Sequence, residues 1–91
     1  MEKWAKLFEA NGRQVLVTKE YDEDDLPKLS FAVRIDGAEL SLGPVFKGEN
    51  GEADRDKIFE AADQAMADNF TRPLIGCQSV IEAAQALTDK N

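Results

Sequence analysis

The chain is expected to fold as a single α+β domain spanning residues 1–91: an antiparallel four-stranded sheet made of two hairpins, followed by two helices packed on one face. Three features predict this. The turn dipeptides Asn11-Gly12 and Asp36-Gly37 each join segments with strand character. Beyond Gly51 the apolar spacing changes from two to three and four, the helical period. Strands gathered in the first half and helices in the second imply a sheet with helices on one face rather than alternating βα units.

The first hairpin turns at Asn11-Gly12. If two residues form the turn, Phe8 lies opposite Val15, Leu7 opposite Leu16, and Trp4 meets Lys19. Gln14-Val15-Leu16-Val17-Thr18 has the β-branched enrichment of a strand. Residues Glu2–Ala10 are compatible with two conformations. They are rich in helix formers, with Trp4, Leu7 and Phe8 at helical spacing and Gly12 available as a C-terminal cap. As a strand they supply the partner that Val15–Val17 needs, which favours the hairpin.

Tyr21-Asp22-Glu23-Asp24-Asp25-Leu26-Pro27 follows. Four like charges in a row before an X-Pro step cannot lie inside a strand, so this is an exposed loop. The second hairpin alternates cleanly on both sides of Asp36-Gly37. It sets Ile35 opposite Ala38, Val33 opposite Leu40 and Phe31 opposite Leu42 on one face. Ser30, Ala32, Arg34, Glu39 and Ser41 occupy the other, with Arg34 across from Glu39 as an opposite-charge pair. That outer face is therefore expected to be polar and small. Gly43-Pro44 ends or kinks the fourth strand.

Gly48-Glu49-Asn50-Gly51 leads into a helix expected from Asp54 or Asp56 to Asn69. Ile58, Phe59, Ala62, Ala65, Met66 and Phe70 form its apolar stripe, and Glu52, Asp54 and Asp56 complement the positive end of its dipole. Thr71-Arg72-Pro73 stops it. Ser79-Val80-Ile81-Glu82 is a capping box that opens a last short helix, and Asp89-Lys90-Asn91 is expected to fray. The core is drawn from Trp4, Leu7, Phe8, Val15, Val17, Phe31, Val33, Ile35, Leu40, Leu42, Phe46, Ile58, Phe59, Met66, Phe70, Val80, Ile81 and Leu87. Twelve further apolar residues are alanines, which bury little area each.

Composition excludes much chemistry. There is no histidine, which removes Ser-His-Asp and Cys-His nucleophile systems, imidazole acid–base work and nearly all zinc sites. The one cysteine, Cys77, cannot form an intrachain disulfide and reads as a structural thiol. Gly43, Gly48 and Gly51 do not make a phosphate-cradling loop. Neither acidic stretch has the alternate-residue ligands, central glycine and terminal glutamate of a calcium loop, so no metal or other cofactor is expected. A two-carboxylate hydrolase needs a cleft that separates two pKa values, and a single-sheet domain has little room for one; no enzyme activity is expected. The charged amino terminus and the lack of any long apolar run point to the cytoplasm.

The net charge is −7, from 18 acidic and 11 basic residues. Such a surface repels nucleic-acid phosphates and anionic lipid headgroups, so direct binding to nucleic acid or membrane is disfavoured. It attracts a protein with a basic surface. Tyr21, Asp22, Glu23, Asp24 and Asp25 in the loop, with Glu49, Glu52 and Asp54 on the approach to the helix, are the expected partner-binding residues. On extended segments their carboxylates would repeat at ~3.4 Å, the phosphate spacing along one nucleic-acid strand.

The run Arg13-Gln14-Val15-Leu16-Val17-Thr18, the acidic loop, and Leu29-Ser30-Phe31-Ala32-Val33-Arg34 together resemble the small acidic accessory proteins of phages and prophages, anti-CRISPRs among them. The resemblance lies in arrangement, carries over no functional residue, and implies an inhibitor that imitates DNA or plugs a nucleic-acid channel of a host protein. The other expectation is a structural module that forms a homodimer through its open sheet face or an edge strand, its acidity serving solubility alone.

Overall fold

A computed structural model describes residues 4–88 of the chain. Residues 2 and 3 of the first segment, and the fraying expected for Asp89–Asn91, lie outside the described residues. The order is β1 (Ala5–Ala10), β2 (Arg13–Tyr21), β3 (Pro27–Ile35), β4 (Ala38–Leu42), α1 (Gly51–Ala61), α2 (Gln64–Thr71), a 3-10 turn (Arg72–Leu74) and α3 (Val80–Thr88). The strands form one antiparallel sheet in sequence order. In the segment before Asn11, Ala5–Ala10 is a strand, not a helix.

Both hairpins take the register that their turns dictate. Phe8 pairs with Val15 and Leu7 with Leu16 around Asn11-Gly12. Arg34 pairs with Glu39 and Val33 with Leu40 around Asp36-Gly37. The four turn residues have positive φ, between 52° and 79°, as a type I′ turn requires. Beyond β4 the chain steps inward at Gly43 and keeps following β3. Leu29 N–H donates to Pro44 O at 3.1 Å, and Phe46 N–H to Pro27 O at 2.8 Å. The inward step requires glycine, because a Cβ on Gly43 would lie 1.5 Å from Leu29 O.

The helical half differs from expectation in two respects, the first being that α1 begins at Gly51 rather than at Asp54 or Asp56. The second is that a single helix to Asn69 is replaced by two, broken at Ala62-Asp63. The Lys6 ammonium, on the inner face of β1, donates to Phe59 O (2.8 Å), Glu60 O (3.2 Å) and Ala62 O (3.1 Å). A cation on the terminal carbonyls of α1 satisfies acceptors that a continuing helix would have used. Asp63 then restarts the chain as an N-cap, its Oδ1 accepting from Met66 N–H at 3.0 Å. Asp63→Ala should cost about 1 kcal/mol. The check is a thermal melt by circular dichroism, with a drop of about 4–8 °C expected.

The core is smaller and richer in alanine than the sequence suggests. Val15, Val17, Leu29, Phe59, Ala10, Ala62 and Ala67 form one buried cluster, and Val33, Ile35, Leu74 and Ala83 a second. Phe70 packs against both and meets Phe31 at 5.8 Å between ring centroids. Leu29 and Leu74 were not anticipated. Trp4, Leu7, Leu42, Ile58 and Ile81 are exposed, contrary to their expected place in the core. Leu7 faces away from the helices, Ile58 and Ile81 lie on outer helix faces, and Leu42 and Trp4 sit at the sheet margins.

Alanine contacts bury little area, and polar side chains reinforce the docking of helices on the sheet. Asn11 Nδ2 donates to Asp68 O and to the buried Thr71 hydroxyl. Arg13 reaches Cys77 O at 2.8 Å, and Gln64 reaches Glu9 O at 2.7 Å. At the last helix Ser79 Oγ accepts from Glu82 N–H, while the Glu82 carboxylate accepts from Gln78 N–H, one residue before the position a capping box predicts. Among the described residues no helix is long and apolar enough to cross a membrane.

Candidate partner-binding surface

The loop between β2 and β3 is a closed turn. Asp22 N–H donates to Leu26 O and Asp25 N–H to Asp22 O, while Asp22 Oδ1 accepts from Asp24 N–H and Leu26 N–H. Asp25 takes a positive φ of 61°. Asp22 is therefore half-buried and spent on holding the turn, an Asx device that its short carboxylate allows. Glu23, Asp24 and Asp25 are exposed. The carboxylates are presented from a turn and a helix, so the phosphate-like spacing of an extended segment does not describe them.

Three bonds bring the two predicted acidic segments to one end of the molecule. Tyr21 Oη donates to Glu52 Oε2 at 2.8 Å. Arg55 Nη1, from the second turn of α1, donates to Glu20 O at 2.7 Å. The Phe46–Pro27 bond holds the approach to α1 beside the start of β3. Glu49, Glu52 and Asp54 are exposed there, next to the loop that begins at Asp22. Among the described residues, none of Asp22, Glu23, Asp24, Asp25, Glu49 and Asp54 pairs with a described cation; the ion pairs of this region run from Lys19 and Arg55 to Asp56. Lys28 stands across from Glu20 in the sheet.

Four residues that the sequence did not mark as functional join this end. Trp4, Lys19, Tyr21, Glu52, Arg55 and Asp56 line a groove of about 410 Å³. The sequence places Trp4 in the core and Lys19 only across from it in the first hairpin, and Arg55 and Asp56 carry no signal beyond their place in a charged helical turn. The buried Arg55 guanidinium lies 4.8 Å from the centre of the Tyr21 ring. An arginine two turns from the stripe residue Ala62, four before Phe59, was the available clue that this face of α1 is covered.

The open sheet face is less polar than expected. Leu7 and Leu16 are paired neighbours, 62% and 40% exposed, and Ala32 continues their row. They line a second shallow groove with Arg34 and Glu39. Among the described residues no group of three or more Cys, Asp or Glu is placed to hold a metal ion. Cys77 is half-buried in the connection before α3, its Sγ 3.9 Å from Pro73 O.

Fold and surface together define a small α+β protein with one bare sheet face and one acidic end. No known protein family, curated protein or solved structure matches the chain.

Proposed function

We propose that the protein is a non-catalytic binding module whose acidic end occupies a basic surface of another protein, such as the nucleic-acid-binding surface of a host protein that a phage-type inhibitor would block. The observation that carries this reading is the Tyr21–Glu52 bond, which joins the loop carboxylates to those of the first turn of α1. Carboxylates gathered at one end, without cationic partners among the described residues, raise the local negative potential, speed encounter with a basic partner and make the complex weaken with salt. Replacing Glu23, Asp24 and Asp25 by Lys tests it, with Asp22 kept because it closes the turn. The melting temperature should change by no more than a few degrees, while capture of partners from the natural host's lysate at low salt is lost. Capture of the same proteins by the reversed variant removes the reading.

A second reading is favoured by the exposed Leu7–Leu16 pair: the open face takes a second copy of the chain. Salt separates the two. Binding to a basic partner fades as ions are added, whereas pairing of two chains of charge −7 is strengthened because their mutual repulsion is screened. Light scattering that finds a monomer at all concentrations and salt levels eliminates the second.

A further inference from the structure

We infer that the groove between Trp4 and α1 receives an arginine side chain of the basic partner, which rests on the binding reading above and gives it a defined anchor point. The chain has one tryptophan and one tyrosine, and both line this groove, 65% and 53% exposed. Large aromatic rings left this open at one site are candidates for the anchors that dominate binding energy at interfaces.

The charge facing solvent in the groove is negative. The two cations among its described lining residues are turned inward and already engaged. Arg55 is 5% exposed, with Nη1 on Glu20 O and Nη2 3.0 Å from Asp56 Oδ1. Lys19 lies with its ammonium 5.2 Å from the centre of the Phe59 ring and 3.8 Å from Asp56. Glu52 is exposed, and only its Oε2 is taken, by the Tyr21 hydroxyl. Its other oxygen can accept from a ligand. An anion would therefore meet a carboxylate first, while a cation meets a carboxylate beside two exposed aromatic side chains.

The groove also contains its own precedent for the shape of that cation. Arg55 stacks on Tyr21 from within and hydrogen-bonds a carboxylate beside it. A second guanidinium on the Trp4 side would repeat that arrangement, with its planar fork donating to Glu52. A lysine ammonium could make the charge contact but not the stacked one.

Trp4, as the sole tryptophan, reports directly. Acetyl-Gly-Arg-Gly-amide, titrated at low salt, should change Trp4 emission saturably, and the neutral citrulline counterpart should not. By anisotropy with a fluorescein-labelled form of the arginine peptide, Trp4→Leu and Glu52→Gln should each weaken binding about tenfold. Both positions are exposed, and melts of each variant verify the fold. The Glu23, Asp24 and Asp25 reversal should leave the arginine-peptide affinity within about twofold apart from the general loss of field, which added salt removes. An unchanged emission, or full affinity in both groove variants, overturns the inference. If the loop reversal abolishes partner capture while Trp4→Leu does not, the groove falls and the acidic-end reading stands; if neither affects capture, both fall.

Discussion

Phe59→Ala is expected to lower stability by about 3–5 kcal/mol, a large share of the 5–10 kcal/mol that a domain of this size holds. The ring is fully buried at the centre of the first cluster, against Val15, Val17 and Leu29 from the sheet. It also carries the ammonium groups of Lys6 and Lys19, at 5.0 and 5.2 Å from its centroid. Removing the ring leaves a cavity and takes away the surface along which both lysine stems lie, so the loss exceeds that of the apolar area alone. A thermal melt should show the midpoint falling by more than about 15 °C. The comparison that tests the cause is its neighbour. Ile58, 38% exposed, belongs to the same apolar stripe in sequence, yet Ile58→Ala should cost only about 1 kcal/mol. Equal losses at the two positions would mean that α1 does not present Phe59 inward as described.

Gly43→Ala should be as damaging for a different reason. The backbone at Gly43 passes so close to β3 that an added methyl would overlap Leu29 O. The obstacle is main chain inside a sheet, which cannot rotate away, so either the Leu29–Pro44 bond or the Phe46–Pro27 bond must give. A loss of about 3 kcal/mol or more follows. Gly12→Ala provides the contrast: nothing lies within 4 Å of a Cβ there, and the positive φ of 78° alone should cost about 1–2 kcal/mol. Melts of the two variants side by side separate close approach from backbone strain. A Gly43→Ala protein no less stable than Gly12→Ala contradicts the inward step after β4.

The sheet was legible because its information is local. Asn11-Gly12 and Asp36-Gly37 set both registers, and the alternation of Phe31, Val33 and Ile35 against Ser30, Ala32 and Arg34 chose the buried face. The turn chemistry and the pattern made the same choice, which left little freedom. The convergence of the two acidic segments was not legible in the same way. It depends on long-range bonds from Tyr21 and Arg55 whose partners lie 31 and 35 residues away, and no periodicity encodes them.

The break in the helix was hidden by Lys6. Charge assigns a lysine to solvent by default, yet Lys6 and Lys19 both lie on the inner face, in phase with Phe8, Val15 and Val17. Lys6 reaches the end of α1, and this ends the helix inside an unbroken apolar stripe. Asp63 was the one local sign, a favoured N-cap residue standing between Ala62 and the next apolar position. The exposure of Trp4 was hidden for a complementary reason. Size and hydrophobicity place a tryptophan in the core by default, whereas here it lies just before the first residue of an edge strand, where the helix layer covers it only in part.

Lys6, Asn11, Arg13, Arg55 and Gln64 all reach across the fold to main-chain oxygens: of Phe59, Asp68, Cys77, Glu20 and Glu9. A carbonyl is present whatever residue bears it. The identities of the gripping side chains are therefore constrained, while most residues being gripped are free to drift so long as the local backbone keeps its path. Descendants of this chain could thus exchange much of their helical surface, and with it their preferred target, without relinquishing the architecture.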